Sequence, residues 1–128
     1  MAIKYKIVTR KNPQDFEAAP KYYAQVVTGA KKNLRDIAER IASHTTMSTP
    51  DVFGVLMALE EEVIVALKDG AHVELGNLCI LYPTLQCNGA DSLEAFNAAG
   101  NITAKKIGIR AKKALSNQMA NVPLERVG

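Results

Sequence analysis

Tryptophan is absent from this 128-residue sequence, and only 5% of its residues are aromatic. With 48% of residues apolar, the core must be aliphatic, built from Leu, Ile, Val, Ala and Met, and the composition is that of a globular chain. Cysteine is scarce. Cys79 and Cys87 lie eight positions apart with no neighbouring His or third Cys, which suggests neither a zinc site nor a redox pair and leaves them as reduced core or strand residues. Long apolar runs are missing too: the longest, Val52 to Leu59, is broken by Gly54 and followed by three glutamates, short of the roughly 18 residues of a membrane span. The opening Ile3-Lys4-Tyr5-Lys6-Ile7 lacks the apolar region and small-residue cleavage site of a secretory signal. These absences lead to the expectation of one soluble, cytoplasmic domain over residues 1–128, with no membrane partner.

The signatures of catalysis are missing as well. His44 and His72 are isolated and read as a polar inter-helix residue and a strand-edge residue; Glu60, Glu61 and Glu62 read as a solvated helix face. The phosphate loop G-x-x-x-x-G-K-[ST] does not occur. No catalytic residue, metal site, cofactor or small-molecule substrate is expected.

Charge is what the chain does have, and its distribution says more than the net value of +3. Residues 1–32 carry seven basic and two acidic side chains, residues 33–101 three basic and ten acidic, and residues 102–128 six basic and one acidic. Basic character at both ends can meet on one surface after folding, and a basic face beside an acidic one suits a polyanionic partner. The plainer alternative is a solvated, merely soluble surface.

The alternation Ile3 to Thr9 predicts a half-buried strand with Lys4 and Lys6 on its polar face. Residues 10–20 hold two prolines and scattered charge, a loop leading to a second strand from Tyr22 to Thr28 that could pair with the first as an antiparallel ribbon. A helix follows with Asn33 as N-cap, Asp36 in its first turn, and Leu34, Ile37, Ala38 and Ile41 on one stripe. After a polar break containing His44, Ser48 or Thr49 caps a second helix with Pro50 at its first position; Gly70 supplies the left-handed stop. Beta-rich runs occupy Val73 to Leu75 and Leu78 to Leu85. Gln86 to Asn101 reads as a loop with a short helix near Leu93. Lys106, Gly108, Arg110 and Lys112 alternate with Ile107, Ile109 and Ala111 in a basic strand, Ala114 to Ala120 forms helical turns, and Val122 to Val127 closes as a short strand.

The helix from Val52 to Leu67 is apolar nearly all round, and only Glu60 to Glu62 break it within that span. Such a girth needs cover on more than one side, and in a small domain a second copy of the chain is the simplest cover. The expected homodimer interface comprises Val52, Phe53, Leu56, Met57, Leu59, Val63, Ile64 and Leu67 of this helix, with Leu78 and Leu81 of the following strand.

Two helices separated by a short break, then Gly, strand, tight turn, strand, polar loop, basic strand and terminal helix: this order, over roughly Leu34 to Met119, resembles the bacterial histone-like HU/IHF family. Lys68-Asp69-Gly70-Ala71-His72-Val73-Glu74-Leu75 looks like the family's helix end and first strand. Leu75, Leu78 and Leu81 fall where the family carries Leu, Phe and Phe of L-x-G-F-G-T-F, while Asn77, Cys79 and Ile80 replace its small residues. Residues 1–32, with Lys21-Tyr22-Tyr23-Ala24, look like the extension of longer HU-like proteins. The family's Arg-Asn-Pro-x-Thr-Gly arm, whose proline wedges between base pairs, has no counterpart here: Cys87 to Thr103 contains Asp91 and Glu94 but no Lys, Arg or Pro.

The resemblance implies an α+β fold with a two-helix N-terminal hairpin, an antiparallel sheet, an extra N-terminal ribbon and an intertwined dimer. It divides the chain into an extension (1–32), an HU-like core (33–120) and a tail (121–128). It further implies a nucleoid-associated, architectural protein that binds duplex DNA without sequence preference. Its phosphate contacts are expected from Lys4, Lys6, Arg10, Lys11 and Lys21, and from Lys105, Lys106, Arg110, Lys112 and Lys113. The rival is an HU-fold interaction or structural module with weak or no DNA binding, favoured by the acidic middle of the chain.

Overall fold

The computed structural model describes residues 1–15 and 17–128; Phe16, inside the loop expected between residues 10 and 20, lies outside the described residues. In chain order the elements are β1 (Ile3–Arg10), β2 (Lys21–Val26), α1 (Leu34–Ser43), α2 (Thr49–Lys68), β3 (Val73–Leu75), β4 (Cys79–Cys87), α3 (Ala98–Asn101), β5 (Ile102–Ala111), α4 (Lys113–Ala120) and β6 (Leu124–Arg126). The backbone forms two compact units, Met1–Lys31 with Asn117–Gly128, and Lys32–Ser116.

The first unit is a three-stranded sheet of order β2-β1-β6. β1 and β2 pair antiparallel as expected, from Tyr5 opposite Val26 to Arg10 opposite Lys21. The strand read as Tyr22 to Thr28 begins one residue earlier and stops at Val26, although the Val27 N–H still donates to the Lys4 carbonyl at 2.8 Å. β6 lies on the other side of β1 and runs parallel to it, Ile3 opposite Leu124 and Tyr5 opposite Arg126. Side chains alternate along a strand and opposite positions share a face. One face of this sheet therefore collects Ile3, Tyr5, Ile7, Ala24, Val26 and Leu124 with Arg126 beside Tyr5, and the other Lys4, Lys6, Val8, Arg10, Lys21, Tyr23 and Gln25 with Glu125 beside Lys4.

The second unit begins with two capped helices packed on each other. The Asn33 side chain accepts the Asp36 N–H at 2.9 Å and the Asp36 carboxylate accepts the Asn33 N–H at 3.1 Å, a reciprocal box satisfying two donors at the start of α1. Ser48, not Thr49, caps α2 by accepting the Asp51 N–H at 3.3 Å, which moves Pro50 to the second helical position. At the other end Gly70 takes φ +83°, the Ala71 N–H reaches the Ala66 carbonyl and the Gly70 N–H the Leu67 carbonyl, both at 3.0 Å. This pair of bonds is the left-handed termination that glycine permits.

β3, β4 and β5 form an antiparallel sheet with β4 in the centre. The turn between β3 and β4 closes through the Leu78 N–H to the Leu75 carbonyl at 2.9 Å, with Gly76 at φ +54°. The expected loop from Gln86 to Asn101 is shorter at both ends: Gln86 and Cys87 extend β4, and the short helix is α3, not a turn near Leu93. Asparagine chemistry explains the shift. Asn97 caps α3 by accepting the Ala99 N–H at 3.1 Å, and the Asn101 amide donates to the Asn88 carbonyl at 3.1 Å, tying the foot of the turn. β5 likewise begins at Ile102, four residues before the alternating cations.

Among the described residues the buried hydrophobic side chains are Ala38 of α1 and Val52 of α2, and no large side chain is fully buried. A single copy of the second unit thus leaves part of its aliphatic surface uncovered, with Val55, Met57, Leu59 and Ile64 of α2 exposed.

Candidate nucleic-acid interface

In the first unit the register gathers four of the expected cations, Lys4, Lys6, Arg10 and Lys21, on one sheet face, all exposed. Tyr23 shares that face and is 45% exposed; its ring lies 5.6 Å from the Arg10 guanidinium carbon. A cation over an aromatic face is held by the ring's quadrupole, so the guanidinium is oriented rather than free to swing. Lys11, the first residue past β1, joins Arg10, Lys21 and Tyr23 around a hollow at the β1–β2 turn.

In the second unit the expected cations separate. Lys106 stands opposite Thr84 and Arg110 opposite Ile80, so both lie on the face that carries Tyr82. Lys105 stands opposite Leu85 and falls on the other, apolar face. Lys112 is paired with the Glu74 carboxylate and keeps only a quarter of its side chain exposed, so its charge is already partly answered within the chain. Lys113 opens α4 and is exposed. Tyr82, which sequence reasoning missed, is the centre of this face. Its ring crosses Gly108, where an added Cβ would collide with it, and lies 5.8 Å centroid to centroid from His72. The available signal was Gly108 itself, since a glycine inside a strand marks a close approach.

The opposite face of this sheet, with Leu81, Pro83, Leu85, Ile107 and Ile109, is aliphatic. Between it and the C-terminal half of α2 runs an open groove of about 520 Å³ lined by Ile64, Leu67, Leu85 and Ile107 among others. Of the residues expected at a dimer interface, Met57, Leu59, Ile64 and Leu78 are exposed, and Phe53, Leu56, Val63, Leu67 and Leu81 are half-buried. Val52 is already buried within the chain and has little surface to offer a partner. Leu85, Ile107 and Ile109, not foreseen at the interface, add to the uncovered apolar surface, Ile109 with 68% exposure.

The turn between β4 and β5 carries Asp91 and Glu94 and no cation from Asn88 to Asn97, and Leu93 there is 92% exposed. Among the described residues no group of three or more His, Cys, Asp or Glu side chains could hold a metal ion, and no helix is long and apolar enough to cross a membrane.

Two helices followed by a three-stranded antiparallel sheet, preceded by a basic ribbon, define an HU-like α+β protein. A family model described as HU-HIG, "HU domain fused to wHTH, Ig, or Glycine-rich motif", matches residues 1–126, and the chain belongs to that family. The HU resemblance read from residues 34–119 therefore holds, and the match extends through the N-terminal ribbon. Among solved structures, the fold is similar to the crystal structure of a "Putative bacterial DNA binding protein" from Bacteroides vulgatus ATCC 8482, with TM-score 0.70 and 19% identity over 99% of this chain and 49% of that one. The chain thus spans about half the length of that protein, and at this identity the likeness concerns the fold alone. No curated protein sequence matches the chain.

Proposed function

We propose that the chain is a homodimeric architectural protein that binds duplex DNA through phosphate contacts without reading sequence. The observation that carries this reading is the sorting of cations by face: Lys4, Lys6, Arg10 and Lys21 on one side of the β2-β1-β6 sheet, Lys106 and Arg110 beside Tyr82 on one side of the β3-β4-β5 sheet. Cations on a strand face two residues apart can neutralise backbone phosphates and release counterions, which yields affinity without base contacts. Among the described residues no helix presents a row of Arg, Asn and Gln suited to a groove, and the turn that carries the family's arm offers no proline wedge. Binding therefore rests on the strands.

The HU-like name of the family and the words attached to the Bacteroides vulgatus structure support a DNA-binding role. Exposed apolar residues on α2 and on the sheet face beside the groove support an intertwined homodimer, because a contiguous aliphatic surface of this kind is stable only when covered. A nucleoid-associated role in the bacterial cytoplasm follows from the same reading.

A second reading keeps the HU fold but makes it a protein-interaction module, and it is favoured by the acidic β4–β5 turn with exposed Leu93. Gel-shift titration of random duplex with Lys106→Glu/Arg110→Glu separates the two. Weakening of at least tenfold is expected for the DNA-binding protein; unchanged affinity favours the interaction module.

A further inference from the structure

At the end of the β1–β2 ladder the backbone encloses a hollow of about 430 Å³, lined by Arg10, Lys11, Asn12, Pro13, Lys21 and Tyr23 among others. Arg10 and Lys21 are the final register pair. Directly opposite residues on one face have Cβ atoms about 4.5–5.5 Å apart, and like charges so placed destabilise a ribbon unless an anion sits with them. Lys11 brings a third positive charge to the same place. None of the three forms an ion pair among the described residues. The turn's carboxylates do not line the hollow, and Asp15 instead accepts the backbone N–H of Glu17 at 3.1 Å. Tyr23 supports one face of the Arg10 guanidinium, which leaves its N–H edge to donate to an oxyanion. The Asn12 side-chain oxygen is engaged by the Gln14 N–H at 3.0 Å, so the amide end of Asn12 is a further donor.

We infer that this hollow is a phosphate subsite in which Arg10, Lys11 and Lys21 converge on one phosphate group. The inference rests on the proposed function in so far as that phosphate belongs to a DNA backbone; a free phosphate ion presents the same chemistry. Convergence separates this site from the rest of the cationic face, where Lys4 and Lys6 each meet a phosphate of their own.

The salt dependence of binding distinguishes one shared phosphate from three separate ones. Each phosphate neutralised on duplex DNA contributes about 0.9 to the slope of log K against log salt. Measured on the full chain with random duplex and expressed per bound chain, so that a homodimer shows twice each figure, Arg10→Gln/Lys11→Gln/Lys21→Gln should lower the slope by about 0.9, whereas three independent contacts would lower it by about 2.7. Lys4→Gln/Lys6→Gln serves as reference for separate contacts, with an expected loss of about 1.8. In parallel, titration with inorganic phosphate at constant ionic strength should shift the amide resonances of residues 10–12 and 21–23 in the parent and not in the triple variant. Should the triple variant lose its fold, Lys21→Gln alone is expected to weaken the phosphate response.

A slope loss near 0.9 together with the phosphate response supports the subsite on DNA. A phosphate response without slope loss assigns the subsite to free phosphate. A loss near 2.7, or no phosphate response at these amides, overturns it. Failure of the parent to bind duplex would overturn the proposed function, and the phosphate titration would then decide the hollow by itself.

Discussion

Ile64 offers a measured way to ask whether a second copy covers α2. It is 51% exposed on the helix and lines the groove with Leu85 and Ile107. Ile64→Ala removes three side-chain carbons, and alanine is the better helix former, so helix propensity works against any loss. If pairing buries the exposed half of those carbons, at about 0.8 kcal/mol per buried methylene the cost is about 1.2 kcal/mol per chain. A two-fold interface uses the residue twice, which brings the cost to about 2.4 kcal/mol per dimer. At about 1.4 kcal/mol per tenfold, this weakens dimerisation roughly fifty-fold. Sedimentation equilibrium over a concentration series reads the constant directly, with Glu61→Ala on the exposed acidic run as the control. A dimer constant that Ile64→Ala leaves within about twofold, or a parent chain that is monomeric throughout the series, refutes the placement of the interface.

Two further predictions concern the scaffold. Gly108→Ala drives a methyl into the Tyr82 ring and should destabilise the fold by about 1–3 kcal/mol, the usual cost of overpacking. Thermal unfolding reads this cost, and Gly108→Ala/Tyr82→Ser should recover part of it; a single variant as stable as the parent would contradict the close approach. Asn33→Ala breaks the capping box of α1 and should cost about 1 kcal/mol in urea unfolding, against a few tenths for Asn33→Gly, and equal losses for the two would show that the cap does not act through its side chain.

How much of this arrangement the residues disclose depends on the range over which each feature is determined. Helix ends are set locally: Asn33 with Asp36, Ser48 with Asp51, and Gly70 each act within three or four residues, and the expected boundaries of α1 and α2 stand to within a position. The period-2 alternation of β1 likewise placed Lys4 and Lys6 on one face. Alternation alone also implied that Lys105 and Lys106 point to opposite sides, a consequence that only the β4–β5 register turns into neighbours, Leu85 for one and Thr84 for the other. Long-range features were illegible. The Lys112–Glu74 pair joins residues 38 positions apart, and the parallel pairing of β6 with β1 joins the two ends of the chain. α3 is a four-residue helix with no apolar period, held by the side chains of Asn97 and Asn101, and no hydrophobic pattern could announce it.

Dimer cover and cation sorting also bear on each other. The apolar face of the β3-β4-β5 sheet lies on the side opposite Lys106 and Arg110. Within that sheet, covering the apolar face with a second copy leaves Arg110 open, while Lys106 also lines the edge of the groove. Dimerisation and phosphate contact are thus compatible at Arg110 on the same strands.

If strand cations hold duplex phosphates, the salt dependence of binding shows it most directly. Lys4, Lys6, the Arg10–Lys11–Lys21 hollow, Lys106 and Arg110 would engage five phosphates per chain, so with both chains of the homodimer in contact log K against log salt should fall with a slope of about −9 on random duplex. A slope close to zero, or no binding at low salt, would contradict it.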